Sequence, residues 1–326
     1  MLEMGFPGHI VQLVSHLYRK QEAVVRLANY ETDWFKIRRG VRQGCIISPC
    51  LFNIYSEQVM RVALDGYEKG IRLGGRLINN LRYADDVVLI ATSETELQEL
   101  IDRVNEASER AGLSINISKT KVMVSASEKK TITIQINGKR LEQVESFVYL
   151  GSTFQESGEC KVDIRKRLAM GKSVMQSLSN IWKSREISMQ TKVRLLKALV
   201  WSVTTYRCEG WTLRKEDQRR IEAFEMWCFR RLLRVSWTQH KTNEWVLQEL
   251  NENIQLLQSI KRRKMGYYGH VMRKDSCLEK DIIQGYINGR RLVGAAVVTS
   301  FLHKCQACDP LQYFQVQYKG QTVQNI

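Results

Sequence analysis

Two carboxylates stand side by side, Asp85 and Asp86, in the stretch LRYADDVVLIA. Adjacent carboxylates repel, and apolar flanks make their solvation harder, so the arrangement needs a compensating gain. A pair at a hairpin tip can hold a hard divalent cation, which prefers oxygen ligands and few protein donors. Enzymes of phosphoryl transfer use such pairs to hold two metals ~3.5–4 Å apart, with a further carboxylate from another strand. An isolated Asp-Asp is usually an ordinary solvated turn. Tyr83 and Ala84 before this pair, and VVLIA after it, make the pattern far more specific.

The surrounding elements must position these groups. The apolar arms around the aspartates predict a hairpin. SETELQELIDRVNEASERAG predicts a helix over 93–112, opened by Ser93 and Glu96 as a capping box and stopped by Gly112. Pro7 to Lys20 predicts a short helix, 22–29 a strand, and the spacing of Leu51, Ile54, Tyr55, Val59 and Val62 a helix after Pro49. KTKVMVSA and residues 131–151 predict strands, with a tight turn at Asn137-Gly138. The first half therefore reads as helices interleaved with a mainly antiparallel sheet. Beyond residue 160 the pattern is helical throughout, with polar faces rich in Lys and Arg. No linker is visible, so the boundary follows composition.

The chain has 326 residues and a net charge of +16. Residues 1–160 hold 20 basic and 20 acidic side chains, whereas residues 161–326 hold 30 and 14. The whole excess lies in the second half, which points to a polyanion and most readily to nucleic acid. Hydrophobic content of 44% excludes global disorder. No run is long and apolar enough for a membrane span, and the N-terminus lacks the pattern of a secretory signal. Eight irregularly spaced cysteines without such a signal fit reduced thiols in a cytoplasmic or nuclear setting.

YADD followed by apolar residues resembles the catalytic hairpin of reverse transcriptases, aromatic-any-Asp-Asp. RRGVRQGCIISPCLFNIY upstream, GLSINISKTKVMV downstream and FVYLGSTF beyond it are similar to further segments of that family, in family order. The best match is to reverse transcriptases of non-LTR retrotransposons. WSVTTYRCEGWTLRKEDQRRIEAFEMWCFRRLLRVSW and RRKMGYYGHVMRK resemble the region after their polymerase core. The resemblance covers about residues 1–291. It implies an α+β fold, with a partial polymerase palm over 1–160 and a basic helical thumb and C-terminal region over 161–291. It implies RNA-templated DNA synthesis with Mg²⁺ or Mn²⁺ held by Asp85 and Asp86. RNA template, DNA primer and deoxynucleotides would be the partners. Gln43 and Gly44 would lie by the incoming nucleotide, Tyr83 at the hairpin, and Gly151 in the loop gripping the primer end. Lys119 or Lys121 would stabilise the leaving pyrophosphate.

Two departures accompany the resemblance. The family's third metal-binding carboxylate lies before the segment where this chain begins, as do its fingers. Synthesis by this chain alone is therefore expected to be impaired, unless the missing N-terminal segment acts in trans. The alternative is a catalytically inactive remnant that binds nucleic acid. At the other end, the resemblance stops near Arg291, and residues 292–326 read as a poorly ordered tail. His303, Cys305 and Cys308 there could supply three zinc ligands, but no fourth is evident, and chance is the commoner reading. The tryptophans at 182, 201, 211, 227, 237 and 245 recur on apolar helix faces and read mostly as core.

Overall fold

The structure is a computed structural model that describes residues 1–27, 30–37, 40–42, 44–73, 75–125, 130–275, 277–284, 295–304 and 315–318. It is an α+β fold. Helix α1 (Gly8–Tyr18) leads into strand β1 (Glu22–Leu27), and Pro49 lies in the first turn of α2 (Ser48–Leu64). Proline is tolerated there because the first N–H groups of a helix have no partner within it. Strand β2 (Asn80–Tyr83) pairs with β3 (Asp86–Ala91) as the expected hairpin. Helix α3 (Glu94–Arg110) opens on Ser93, whose hydroxyl accepts the Glu96 N–H at 3.2 Å. The Glu96 carboxylate reaches back to Thr92 instead of completing the box on Ser93.

Leu97, Leu100, Ile101 and Val104 give α3 one apolar face, which packs on Met60 of α2 and on Val87, Leu89 and Ala91 of β3. Fully burying each large aliphatic side chain stabilises by about 1.5–3 kcal/mol. This single cluster fixes the hairpin from behind. Strands β4 (Leu113–Ile115) and β5 (Lys121–Ser125) follow α3. Only part of the predicted strand region 131–151 is ladder-paired. Ile132, Ile134 and Ile136 plug into the core, and the N–H groups of Thr133 and Gln135 donate to Glu94 and Gln98 of α3. Part of the segment thus satisfies its backbone on a helix, while Gln135 and Ile136 pair with Lys139 and Arg140 in a short ladder. Asn137 and Gly138 both adopt positive φ, as their tight turn requires. Strands β6 (Ser146–Tyr149) and β7 (Ser152–Gln155) then form a second hairpin.

The second half is helical. It contains α4 (Lys161–Ser177), α5 (Met189–Leu195, continued by a π turn over Leu196–Val200 and a helical turn over Trp201–Thr204), α6 (Lys215–Leu233), α7 (Asn243–Leu250) and α8 (Leu256–Met272). They enclose a separate core around Met175, Leu196, Phe229, Leu232 and Ile260. Gly171 lies where α4 crosses its neighbours. A Cβ there would collide with the Thr204 side chain and sit 2.9 Å from Phe224.

The segment 292–326, which reads as an unpatterned tail, contains two paired strands. Strand β8 (Ala295–Lys304) lies between β3 and β5, antiparallel to both, and also pairs with β4. Strand β9 (Gln315–Tyr318) pairs with β1. The β-branched run AAVVTSFL suits a strand, but nothing in it names a distant partner. Cys305, Cys308 and Gln43 lie outside the described residues.

Candidate active site

The β2–β3 hairpin turns through Ala84 and Asp85, with Tyr83 opposite Asp86 in register. Ala84 has φ +54°, a left-handed conformation that costs a non-glycine residue roughly 1–2 kcal/mol. The core-facing part of β3 holds this strained tip in place. Asp85 and Tyr83 are exposed, whereas Asp86 is half-buried where the strand enters the core. Burial, and then the Asp85 charge, push the Asp86 carboxyl above its ordinary value. Among the described residues no three Asp, Glu, His or Cys side chains gather into one cluster. The pair by itself offers carboxylate oxygens to one hard cation. That donor set fits Mg²⁺, which commonly takes one or two protein carboxylates and keeps several waters.

The β6–β7 hairpin packs against β5 and α4. Its turn, Leu150-Gly151, has φ of +48° and +81°. Tyr149, at the end of β6, senses the aspartates: burial and then Asp86 raise its hydroxyl's pKa, against a lowering from Arg207. Lys121 and Val88 are both level with Thr299 of the intervening β8. At the usual strand spacing this puts β5 about 10 Å from β3. Lys119 is exposed in the turn before β5, at the Asp86 end of the sheet. Lys121 is ion-paired with Glu142. Gly44 has φ +77° and lies exposed in the loop before α2.

The structure adds groups that the sequence pattern does not mark. Arg167, within a run that looks like a solvated basic face, lies on the buried side of α4 with Ile164 and Leu168. Its Nη2 donates to the Gly151 carbonyl, and its guanidinium stacks 4.4 Å from the Tyr206 ring. Tyr206 in turn donates to the Leu150 carbonyl at 3.4 Å. Buried Asp163 accepts the Thr153 N–H and the Trp211 indole N–H, each at 2.8 Å. Helical periodicity with Gly171 and Met175 was the one available signal for Arg167.

The helical half exposes Lys and Arg from several elements, among them Lys166, Arg194, Lys261 and Arg262. Trp182, Trp201 and Trp211 are buried, as their apolar faces predict. Trp227 and Trp245 are half-buried and each carries a stacked cation, Arg231 and Lys241 respectively. Among the described residues no helix is long and apolar enough to cross a membrane.

Residues 1–154 match the family model described as reverse transcriptase (RNA-dependent DNA polymerase). A transposon-derived protein of Caenorhabditis elegans is 29% identical over 214 residues, which span 63% of this chain and 75% of that protein. A retrovirus-related Pol polyprotein from a type-1 R2 retrotransposable element of Nasonia vitripennis is 27% identical over 169 residues. Its type-2 R2 counterpart of Drosophila melanogaster is 26% identical over 167 residues. Each of these two matches covers 48% of this chain but 16% of the polyprotein.

Proposed function

Taking residues 1–154 as a reverse transcriptase domain of the kind carried by non-LTR retrotransposons, we propose that this chain binds a template–primer duplex at the Asp85–Asp86 turn. The first half would serve as palm and the basic helical half as thumb. What supports the reading is the paired hairpin that carries Asp85 and Asp86 at its turn, with the Asp86 charge felt by the Tyr149 hydroxyl of the β6–β7 hairpin. Asp85 and Asp86 would hold Mg²⁺ or Mn²⁺, the Leu150-Gly151 turn would receive the primer end, and Lys119 would face a leaving pyrophosphate. A cation bound there supplies Lewis-acid stabilisation of charge on the phosphate. Exposed lysines and arginines of the helical half would contact backbone phosphates, which positions a duplex without reading its sequence.

The donor set favours a second, narrower reading. Polymerase chemistry with two metals needs another carboxylate beside the pair, and the described residues bring none to it. On this reading the isolated chain binds template–primer without extending it, and synthesis requires a carboxylate supplied in trans. Two measurements separate the possibilities. Primer extension on an RNA template with Mg²⁺ or Mn²⁺, abolished by Asp85→Asn with Asp86→Asn, would establish synthesis by this chain. Absent extension, binding should still weaken linearly in log salt, with a slope of about −0.7 to −0.9 per phosphate contact. A flat salt dependence would refute both readings.

A further inference from the structure

The helical half contains a cleft of about 670 Å³, lined from the turn after α5, from α7 and from the start of α8. That volume falls within the roughly 300–1,000 Å³ typical of small-ligand sites. None of its lining comes from the Asp85–Asp86 hairpin. Trp201 is the buried member of the lining, only 8% exposed, and its indole N–H has no acceptor among the described residues. A buried donor without a partner is costly, and a phenylalanine could fill much of that space without the cost. The backbone before Trp201 is unusual as well. The π turn over Leu196–Val200 widens the helical repeat, and so rotates Trp201 from where a continuous α-helix would carry it. Such turns recur at functional sites.

The rest of the lining combines preset and free groups. The Gln255 backbone N–H donates to buried Glu225 at 2.9 Å. Its side-chain amide donates to Glu252 at 3.3 Å and accepts from Lys197 at 3.4 Å. The Glu252 charge is matched by Lys197 at 2.9 Å. Leu247 and Ile254 are half-buried apolar walls. Gln258 and Arg262 lie one turn apart on α8, both exposed, and neither side chain has a partner among the described residues. The lining thus carries one free cation and no carboxylate among the described residues. An amide both donates and accepts, as the edge of a nucleobase does, and a guanidinium fork suits a phosphate.

We propose that this cleft binds a single nucleotide. Its base lies against Leu247 and Ile254, a ring acceptor takes the Trp201 N–H, the base edge meets Gln258, and the phosphate meets Arg262. A free nucleotide and an unpaired nucleotide of a strand share this chemistry. The site is separate from the template–primer reading and stands or falls without it.

The test uses the full chain carrying Asp85→Asn and Asp86→Asn, in EDTA, so that no metal-held nucleotide at the hairpin contributes. ¹⁵N-indole spectra resolve the seven tryptophans, with Trp201 assigned through Trp201→Phe. AMP or UMP should shift the Trp201 indole N–H saturably, and inorganic phosphate at the same concentration should leave it in place. Arg262→Gln should weaken AMP about tenfold, the fold-change expected for a lost hydrogen bond to a charged group, and leave adenosine unaffected. Gln258→Leu should weaken both. If Trp201→Phe does not fold, anisotropy of a fluorescent adenine nucleotide carries the same comparisons, because Gln258 and Arg262 are exposed. A single-stranded RNA tetramer that binds tighter than UMP identifies a strand as the source, and a weaker one identifies a free nucleotide. The inference is overturned if no nucleotide moves the Trp201 signal, if phosphate alone moves it equally, or if neither Arg262→Gln nor Gln258→Leu changes affinity.

Discussion

Removing the charge of Asp85 should stabilise the protein in metal-free buffer. Asp86 is half-buried and titrates above its ordinary value because of burial and of Asp85 beside it. Two unit charges some 6 Å apart in mostly aqueous surroundings repel by roughly 0.7–1.4 kcal/mol, and 0.1 M salt about halves that. Since Asp85 is exposed, about 0.5 kcal/mol is the expected relief on Asp85→Asn. No hydrogen bond of the Asp85 side chain is found among the described residues, so Asp85→Ala should behave alike. The sign with pH follows from the direction of the shift. A raised folded-state pKa means the Asp86 contribution is most favourable below about 3.8 and is lost as pH rises through the folded value. The advantage of Asp85→Asn should thus be present at pH 7 and vanish near pH 3.5. Urea midpoints should show it as an increase of about 0.2–0.5 M at neutral pH, for a slope of 1–3 kcal/mol per M. At 10 mM Mg²⁺, weak binding with a dissociation constant of ~1–10 mM would stabilise wild type by about 0.4–1.4 kcal/mol, closing or inverting the gap. If both variants lose stability without metal, or the difference does not change with pH, the reasoning fails.

Other expectations concern the frame around the site. Ala84→Gly should raise stability by about 0.5–1 kcal/mol, as relief of the left-handed strain outweighs the entropy of glycine; a urea melt decides this. Gly171→Ala should destabilise by about 1–3 kcal/mol, because a Cβ meets Thr204 and Phe224 at once; a Tm at or above wild type would contradict the packing. Glu225 is fully buried and caps the start of α8 through the Gln255 and Leu256 N–H groups, with burial as the main cause of its raised pKa. Its contribution should be fully present below about pH 4.5 and decline as pH rises through the folded value, and Glu225→Gln should flatten that part of a stability–pH curve. Deleting residues 295–326 should lower the melting temperature by several degrees and promote aggregation, since β3 and β5 would each lose a paired edge.

Much of the fold is written in local pattern. The α3 helix follows from Ser93, Gly112 and the spacing of Leu97, Leu100, Ile101 and Val104. The hairpin at Asp85–Asp86 follows from its apolar arms, and the Asn137-Gly138 turn from its residue types. Each of these is decided within a few residues. Pairings over long distances are not decided that way. Residues 131–136 alternate like a strand, yet the N–H groups of Thr133 and Gln135 find Glu94 and Gln98 on a helix some forty residues earlier. The β-branched run 295–304 has strand propensity, but its place between β3 and β5 depends on edges set nearly two hundred residues before it. The candidate site divides the same way. Tyr83, Asp85 and Asp86 could be singled out because their motif is contiguous, and Gly151 because it lies in a second contiguous segment, FVYLGSTF. Arg167 was not legible, because it needed the turn it grips.

The two hydrophobic cores share no residue, and the turn between β6 and β7 is tied to the second by Arg167 and Asp163. Val87, Leu89 and Ala91 anchor the aspartate strand in the first core. Ile164 and Leu168 anchor, in the second, the helix that carries Asp163 and Arg167. The placement of that turn is therefore fixed by neither core alone. It depends on a few polar contacts, and net hydrogen-bond contributions of about 0.5–1.5 kcal/mol each are small beside the burial energy of either core. A substitution at those contacts can shift the turn while both cores stay folded. A cavity made deep in either core would instead lower global stability and leave the turn in place in the surviving native molecules.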